Sequence, residues 1–240
     1  MPDFDPRLIN LYDLDNPDGP DHDFYRALAE QLHARSIIDL GCGTGILTVT
    51  LTGADRNVVG IDPSSAMLDY ARNRTGAETV MWILGDSRDL PEGAADLALM
   101  TGNVAQHIGD TDWHRTLLDL HEALRAGGTL AFESRNPAAR AWAGWSSQDR
   151  TTRQTVHGPL VEWLEAEETS PGVVQLTAHN EFTDAHETVT ETATLHFRDQ
   201  RTVERQLGTA GFVVEAVYGD WQRGPVTDAS PVMVFVAAVR

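Results

Sequence analysis

Ser36-Ile-Ile-Asp-Leu-Gly-Cys-Gly-Thr-Gly45 decides how this chain is read. Ser36 to Leu40 has the length and apolar character of a buried strand. Gly41, Gly43 and Gly45 come directly after it. A glycine turn behind a buried strand lets a ligand approach backbone that side chains would otherwise block. Outward from this point, strands and helices alternate. Before it, Phe24, Leu28 and Leu32 recur at helical spacing within Asp21 to His33. After it, a helix is predicted through Leu51, then strands at Val58 to Ile61, Thr79 to Leu84, Asp96 to Met100 and Thr129 to Glu133. Met67, Leu68 and Ala71 give the helix behind Pro63 an apolar face, and Trp113, Leu117, Leu120 and Leu124 do so for a longer helix that Gly127-Gly128 should stop. Val203 and Leu207 mark a last helix ahead of strands at Phe212 to Val217 and Val232 to Val239, the final one antiparallel. The fold class is therefore α/β, a Rossmann-like, seven-stranded, mostly parallel sheet with helices on both faces.

From Arg150 to Arg198 the apolar period drops to two. Val174, Leu176, Ala178, Asn180 and Phe182 alternate with polar residues, as do Val189, Ala193, Leu195 and Phe197. An inserted antiparallel meander of about three strands is expected, beginning near Val161. The main domain is then residues 1–149 and 199–240, and residues 150–198 form a β cap. The opening twenty or so residues, rich in Asp and Pro, are expected to hold little regular structure.

Composition narrows the function. Among 240 residues there are 18 Lys+Arg and 36 Asp+Glu, a formal net charge of −18. Nucleic-acid binding draws on a basic face, so DNA, RNA and anionic membranes are disfavoured as partners. Every basic residue but histidine is arginine, so lysine Schiff bases and the P-loop lysine are excluded. Cys42 is the lone cysteine, which excludes an internal disulfide and a multi-cysteine metal site. No secretory or transit pattern is read at the amino end, and a cytoplasmic location is expected. His107, His114 and His121 recur every seven residues, two helical turns apart and too far for one ion, so no metal is expected.

Ligands on open parallel sheets bind beyond the carboxyl ends of the strands. Besides the glycine turn, two such ends carry chemistry: Asp62, where a carboxylate can accept both hydroxyls of a ribose, and Asp86-Ser87, a short polar pair able to meet the edge of a base. A dinucleotide fingerprint needs its third glycine one place later than Gly45; Ile46 stands there instead. A nicotinamide-dependent reductase is the weaker alternative.

Ile-Asp-Leu-Gly-Cys-Gly-Thr-Gly45, Gly60-Ile-Asp-Pro-Ser-Ser-Ala-Met-Leu68, Gly85-Asp-Ser-Arg-Asp-Leu-Pro91 and Leu124-Arg-Ala-Gly-Gly-Thr-Leu130 together resemble the successive motifs of class I S-adenosylmethionine-dependent methyltransferases of the bacterial small-molecule type. The resemblance is strong over about Arg35 to Glu133 and weaker in the last strands. It implies S-adenosylmethionine as cofactor. Gly41 and Gly43 would line its methionine and ribose portions, with Cys42 between them fitting the tight loop. Asp39 would hold that loop or merely cap the next helix, Asp62 would take the ribose hydroxyls ahead of Pro63, and Met67 would pack on adenine or belong to the core. Asp86 and Ser87 would meet the adenine edge, Thr101 and Asn103 would lie near the methionine, and Tyr12 would lie over the cofactor. It implies in-line methyl transfer to a nitrogen or oxygen of a small molecule; a binding protein without transfer and a protein methyltransferase are the alternatives.

Transfer from a sulfonium needs positioning above all. His107 is the candidate general base, its alternative being a packing role. The acceptor pocket is expected between the sheet end and the meander, with Arg135, Asn136, Trp163 and Trp221 as candidate lining. Arg135, Arg140, Arg150 and Arg153 form a basic stretch that suits a carboxylate or phosphate on the acceptor, or a solvated surface. The meander itself suits a lid or the face of a homodimer.

Overall fold

The computed structural model describes residues 3–93, 95–146 and 150–240. Seven strands form one sheet in the order β10-β11-β5-β4-β1-β2-β3. These are β1 (Ser36–Leu40), β2 (Asn57–Asp62), β3 (Val80–Leu84), β4 (Ala95–Met100), β5 (Leu124–Arg135), β10 (Phe212–Tyr218) and β11 (Val232–Val239). The first five pair in parallel, while β11 is antiparallel to both β5 and β10, as its sequence position required. Chain order runs outward from β1 to β3 and then returns to β4 beside β1. The reversal opens a crevice between the carboxyl ends of β1 and β4.

Period-two alternation sorts the strand residues between two cores. Ile38, Ala98, Met100, Leu130, Phe132, Met233 and Phe235 face α5 (Asp110–Ala123) and α6 (Gln200–Thr209), where Trp113, Leu117 and Leu207 are buried. Ile37, Leu97, Leu99, Ala131, Val234 and Val236 face α2 (Pro20–Gln31), with Phe24, Tyr25 and Leu28. The third helix of the α/β repeat, α3 (Ser65–Arg72), is capped by the Ser64 hydroxyl, which accepts from the Met67 N–H at 3.1 Å.

Four expectations change. The amino-terminal segment is not loose: Asp5 caps α1 (Pro6–Asp15), its carboxylate accepting from the Arg7 N–H, and Pro6 opens the helix. Behind the glycine turn there is only a 3-10 turn, Thr48–Leu51, in place of a helix. Thr48, Val49 and Thr50 are β-branched and lose side-chain freedom in a helix. The insertion has four strands: β6 (Thr151–Thr155), β7 (Gly158–Ser170), β8 (Val173–Phe182) and β9 (Glu187–His196), in that order. The extra strand, Thr-Thr-Arg-Gln-Thr, is a polar edge strand and carries no apolar alternation. The long helix also stops at Ala123, four residues before the glycine pair, because Leu124 is already extended.

The second sheet docks through two apolar clusters. Leu160 and Phe182 close over Leu11 of α1; Val174 and Leu195 close over Trp142 and Phe197. Charge runs along the same seam, with Arg7 reaching Glu187 at 2.7 Å and Arg153 reaching Asp15 at 2.5 Å. α1 thus lies between the second sheet and the glycine turn, where Asp13 accepts the Thr44 hydroxyl at 2.7 Å.

Candidate functional site

The glycine turn is built by strand pairing that continues past β1. Gly41 and Cys42 both donate to the Ile61 carbonyl, at 2.7 and 3.1 Å. Gly41 and Gly43 adopt φ of +78° and +52°, which a side chain would strain. A Cβ on Gly41 would collide with Val104 across the crevice, whereas one on Gly43 would meet nothing within 4 Å. The first glycine therefore serves packing and the second faces open space.

Asp62 fastens this turn. One carboxylate oxygen accepts the Gly43 N–H at 2.8 Å and the other accepts the Ser64 N–H at 2.9 Å. Burial pushes its carboxyl up, and the two N–H groups oppose the shift. Tyr12 of α1 stands close enough to Asp62 for that charge, after burial, to push its phenol up. Asp3 binds the same region: its carboxylate accepts from Ser64 Oγ at 2.5 Å, Ser65 Oγ at 2.6 Å and the Ala66 N–H at 2.9 Å, holding its carboxyl down to about 2.

Asp39 is fully buried. Thr48 Oγ1 donates to its Oδ2 at 2.6 Å while Oδ1 has no partner among the described residues. Burial raises its carboxyl to about 6. Cys42 is buried between Asp39 and Asp62, and burial, then those two charges, push its thiol far up, so it is no nucleophile. Met67 is buried on α3, and Pro63 is exposed.

On the other wall, Asn103 takes a left-handed φ of +62° and opens the short helix α4 (Val104–His107). Its N–H donates to Glu133, and Tyr25 Oη donates to the second oxygen of the same carboxylate at 2.5 Å. Glu133 is buried, which pushes its carboxyl up against both hydrogen bonds. Asn103 Oδ1 is buried without a partner among the described residues. α4 is held from outside by Arg198, which donates to the Ala105 carbonyl at 3.0 Å, to the Ile108 carbonyl at 2.7 Å and to Asp110 at 2.8 Å. Thr101 is half-buried just before this turn. His107 ends α4, which packs on β9. Surrounding protein, then the Arg135 guanidinium, lower its titration below its ordinary 6.5.

The sequence placed several residues that the structure uses otherwise. The Asp86 carboxylate is engaged by the Arg88 guanidinium and pushed down to about 2, and Ser87 Oγ donates to Asp119 at 2.5 Å. Arg88 is 65% exposed, so releasing Asp86 to a ligand would cost little. Asn136 is spent on the chain, donating to the Thr227 carbonyl at 2.9 Å and accepting the Ala138 N–H at 3.1 Å. Trp163 is one position out of phase with Leu160 and Glu162, so it lies on the outer face of the second sheet, stacked on His179 at 4.6 Å with Arg150 above it. Trp221 packs against Phe24 and Tyr25 at 6.0 Å from each. Glu133, Tyr25, Gln106 and Arg198 are the functional supports that sequence reasoning did not find or placed otherwise; only Glu133, an acid at the end of a buried strand, carried a local signal.

Two buried oxygens without donors among the described residues, Asp39 Oδ1 and Asn103 Oδ1, flank a turn with open space at Gly43. That donor-poor lining fits a ligand with an ammonium and hydroxyl groups. Residues 37–128 match the methyltransferase domain family. That stretch is similar to a methyltransferase domain. The chain shares 32% identity over 129 residues with malonyl-(acyl-carrier protein) O-methyltransferase of Pectobacterium atrosepticum, covering 52% of this chain and 50% of that protein. The chain spans about half the length of the curated relatives it matches. In three dimensions it is similar to the CcbJ methyltransferase from Streptomyces caelestis, with a TM-score of 0.79 at 19% identity over 99% of this chain and 100% of that one. It is also similar to the sugar N-methyltransferase KedS8 from Streptoalloteichus, with a TM-score of 0.75 at 18% identity over 95% of this chain and 92% of that one. A solved structure of the same fold, the amino pentose methyltransferase CalS10, holds S-adenosylmethionine. Gly43, Asp62, Asp39, Asn103 and Tyr12 are the candidates to hold such a cofactor.

Proposed function

We propose that the protein transfers a methyl group from S-adenosylmethionine to a nitrogen or oxygen of a small-molecule acceptor. The observation that carries this reading is the Asp62 carboxylate, which fixes the open Gly43 turn at the crevice where strand order reverses. The bound sulfonium supplies an electrophilic methyl. The chain supplies position: Glu133 and Arg198 hold the wall that carries Asn103 and His107, and α1 carries Tyr12 over the opposite wall. Alignment of this kind lowers a barrier by about 7–11 kcal/mol. That KedS8 acts on a sugar nitrogen and the Pectobacterium relative on an oxygen supports a small or carrier-borne acceptor without choosing the atom. Residues 150–198 are the cap that would close the acceptor side.

Calorimetric titration with S-adenosylhomocysteine and, separately, NAD tests the first half. Binding of the first in the micromolar range and none of the second is expected, then S-adenosylhomocysteine formation in an acceptor screen; NAD preference, or cofactor binding with no turnover on any acceptor, overturns the reading.

His107 serves as the base if the acceptor rests protonated. It must be neutral to accept a proton, and its titration lies below 6.5, so activity should rise with pH through a midpoint under 6.5 and then level off. His107→Ala should lower kcat and abolish that limb while S-adenosylhomocysteine affinity stays within a factor of about 2. A parallel loss of affinity would make His107 a packing residue.

A further inference from the structure

Four arginines lie between the end of β5 and β6, and their surroundings differ. Arg140 pairs with Glu168 at 3.6 Å, Arg150 with Glu181 at 3.5 Å, and Arg153 with both Asp15 and Glu162. Arg140 and Arg150 are more than half exposed. Arg135 is the exception. It ends β5, at the ligand-binding end of the parallel strands, half-buried, with no carboxylate pair among the described residues. The nearest acid along the strand, Glu133, is already held by Tyr25 and Asn103.

Arg135 has neighbours but no anionic partner among the described residues. Its backbone N–H and one guanidinium nitrogen reach Gln106 Oε1, at 3.3 and 3.2 Å. The Trp145 ring lies 5.1 Å from its guanidinium carbon. Gln106 is fully buried, and its Nε2 has no acceptor among the described residues. The guanidinium therefore has a flat neighbour and one neutral acceptor, but no anion. Removing a guanidinium from water without an anion is costly, and its planar fork suits a carboxylate or phosphate. The same charge reaches His107 at the end of α4, so the empty anion position and the candidate base share one part of the site.

We propose that Arg135, backed by Trp145 and Gln106, anchors a carboxylate or phosphate of the methyl acceptor, making the acceptor an anion. This rests on the methyltransferase reading above. Trp145 gives the anchored molecule an apolar or aromatic surface beside its charged end.

The test uses the whole chain saturated with S-adenosylhomocysteine, titrated by calorimetry with benzoate, phenyl phosphate and benzylamine. At least one anion should bind saturably and benzylamine should not, and the preferred anion separates a carboxylate from a phosphate acceptor. Arg135→Gln should weaken that anion about tenfold or more, with Arg140→Gln unchanged. Unaltered S-adenosylhomocysteine affinity in Arg135→Gln shows that the variant is folded; should it not fold, Arg135→Lys keeps the charge without the fork and is expected to weaken the anion while retaining part of the binding. The proposal is overturned if benzylamine binds as well as the anions, if the Arg135 variants bind them like the parent, or if no anion saturates at tens of millimolar. Failure of the methyltransferase reading is separately visible, as absence of S-adenosylhomocysteine binding or of turnover in the acceptor screen.

Discussion

Replacing Asp62 by alanine should weaken S-adenosylhomocysteine binding about a hundredfold while leaving the fold intact. The carboxylate accepts the Gly43 and Ser64 N–H groups, at 2.8 and 2.9 Å. Hydrogen bonds to a charged acceptor contribute about 1.5–3 kcal/mol each. Losing the first releases a turn held at positive φ, and losing the second loosens the entry to α3. A loss of ~2.7 kcal/mol, a hundredfold in affinity, is smaller than the two bonds together because water replaces them at an open site. Asp62→Asn should fare little better, since its amide would set a donor against one of the two N–H groups. Calorimetry measures the affinity, and circular dichroism checks the fold. Affinity within a factor of about 3 of the parent would remove Asp62 from the cofactor site.

Glu133→Ala should produce the largest loss of stability. Tyr25 Oη and the Asn103 N–H would both be left without an acceptor, Tyr25 in a fully buried position. Each orphaned buried donor costs about 1–3 kcal/mol. At about 2–4 °C per kcal/mol for a chain of this size, the melting temperature should fall by about 10 °C. Tyr25→Phe removes one of the two bonds and keeps the carboxylate on Asn103, so its loss should be less than half as large. Cofactor affinity should fall in Glu133→Ala and hold in Tyr25→Phe, because only the first frees the Asn103 turn. Equal melting temperatures for parent and Glu133→Ala would mean that the clamp does not hold the wall.

The two expectations differ in how far each was legible. Asp62 closes a strand with a recognisable local pattern, and its position at a strand end was enough to mark it. The Glu133–Tyr25 bond joins residues 108 positions apart, and nothing near either residue announces the other. Arg198 and Asp110 are 88 apart and present the same difficulty. The missed α1 is a different kind of miss. Asp5-Pro6 is an N-cap with a first-turn proline behind it, a helix start written in the sequence, but the acidic, proline-rich surroundings drew the reading toward a loop. Trp163 was misplaced because strand phase could not be set before the register of β7 against β8 was known.

The sequence alone determined the succession of strands in the α/β core, the glycine turn and the place of Asp62 at a strand end, and its motifs carried the resemblance that implies the cofactor. These come from local rules: strand-length apolar runs, glycines that tolerate positive φ, and motifs contained in a few consecutive residues. Tertiary structure alone decided which arginine lacks an anion, which tryptophans face the core or the solvent, and where the Asp86 and Ser87 side chains go. Those outcomes depend on the balance between burial and pairing for groups that meet only after folding. A charged side chain reads the same in sequence whether its partner is a carboxylate across the sheet, water, or an acceptor molecule; only the packed chain fixes which of these is within reach.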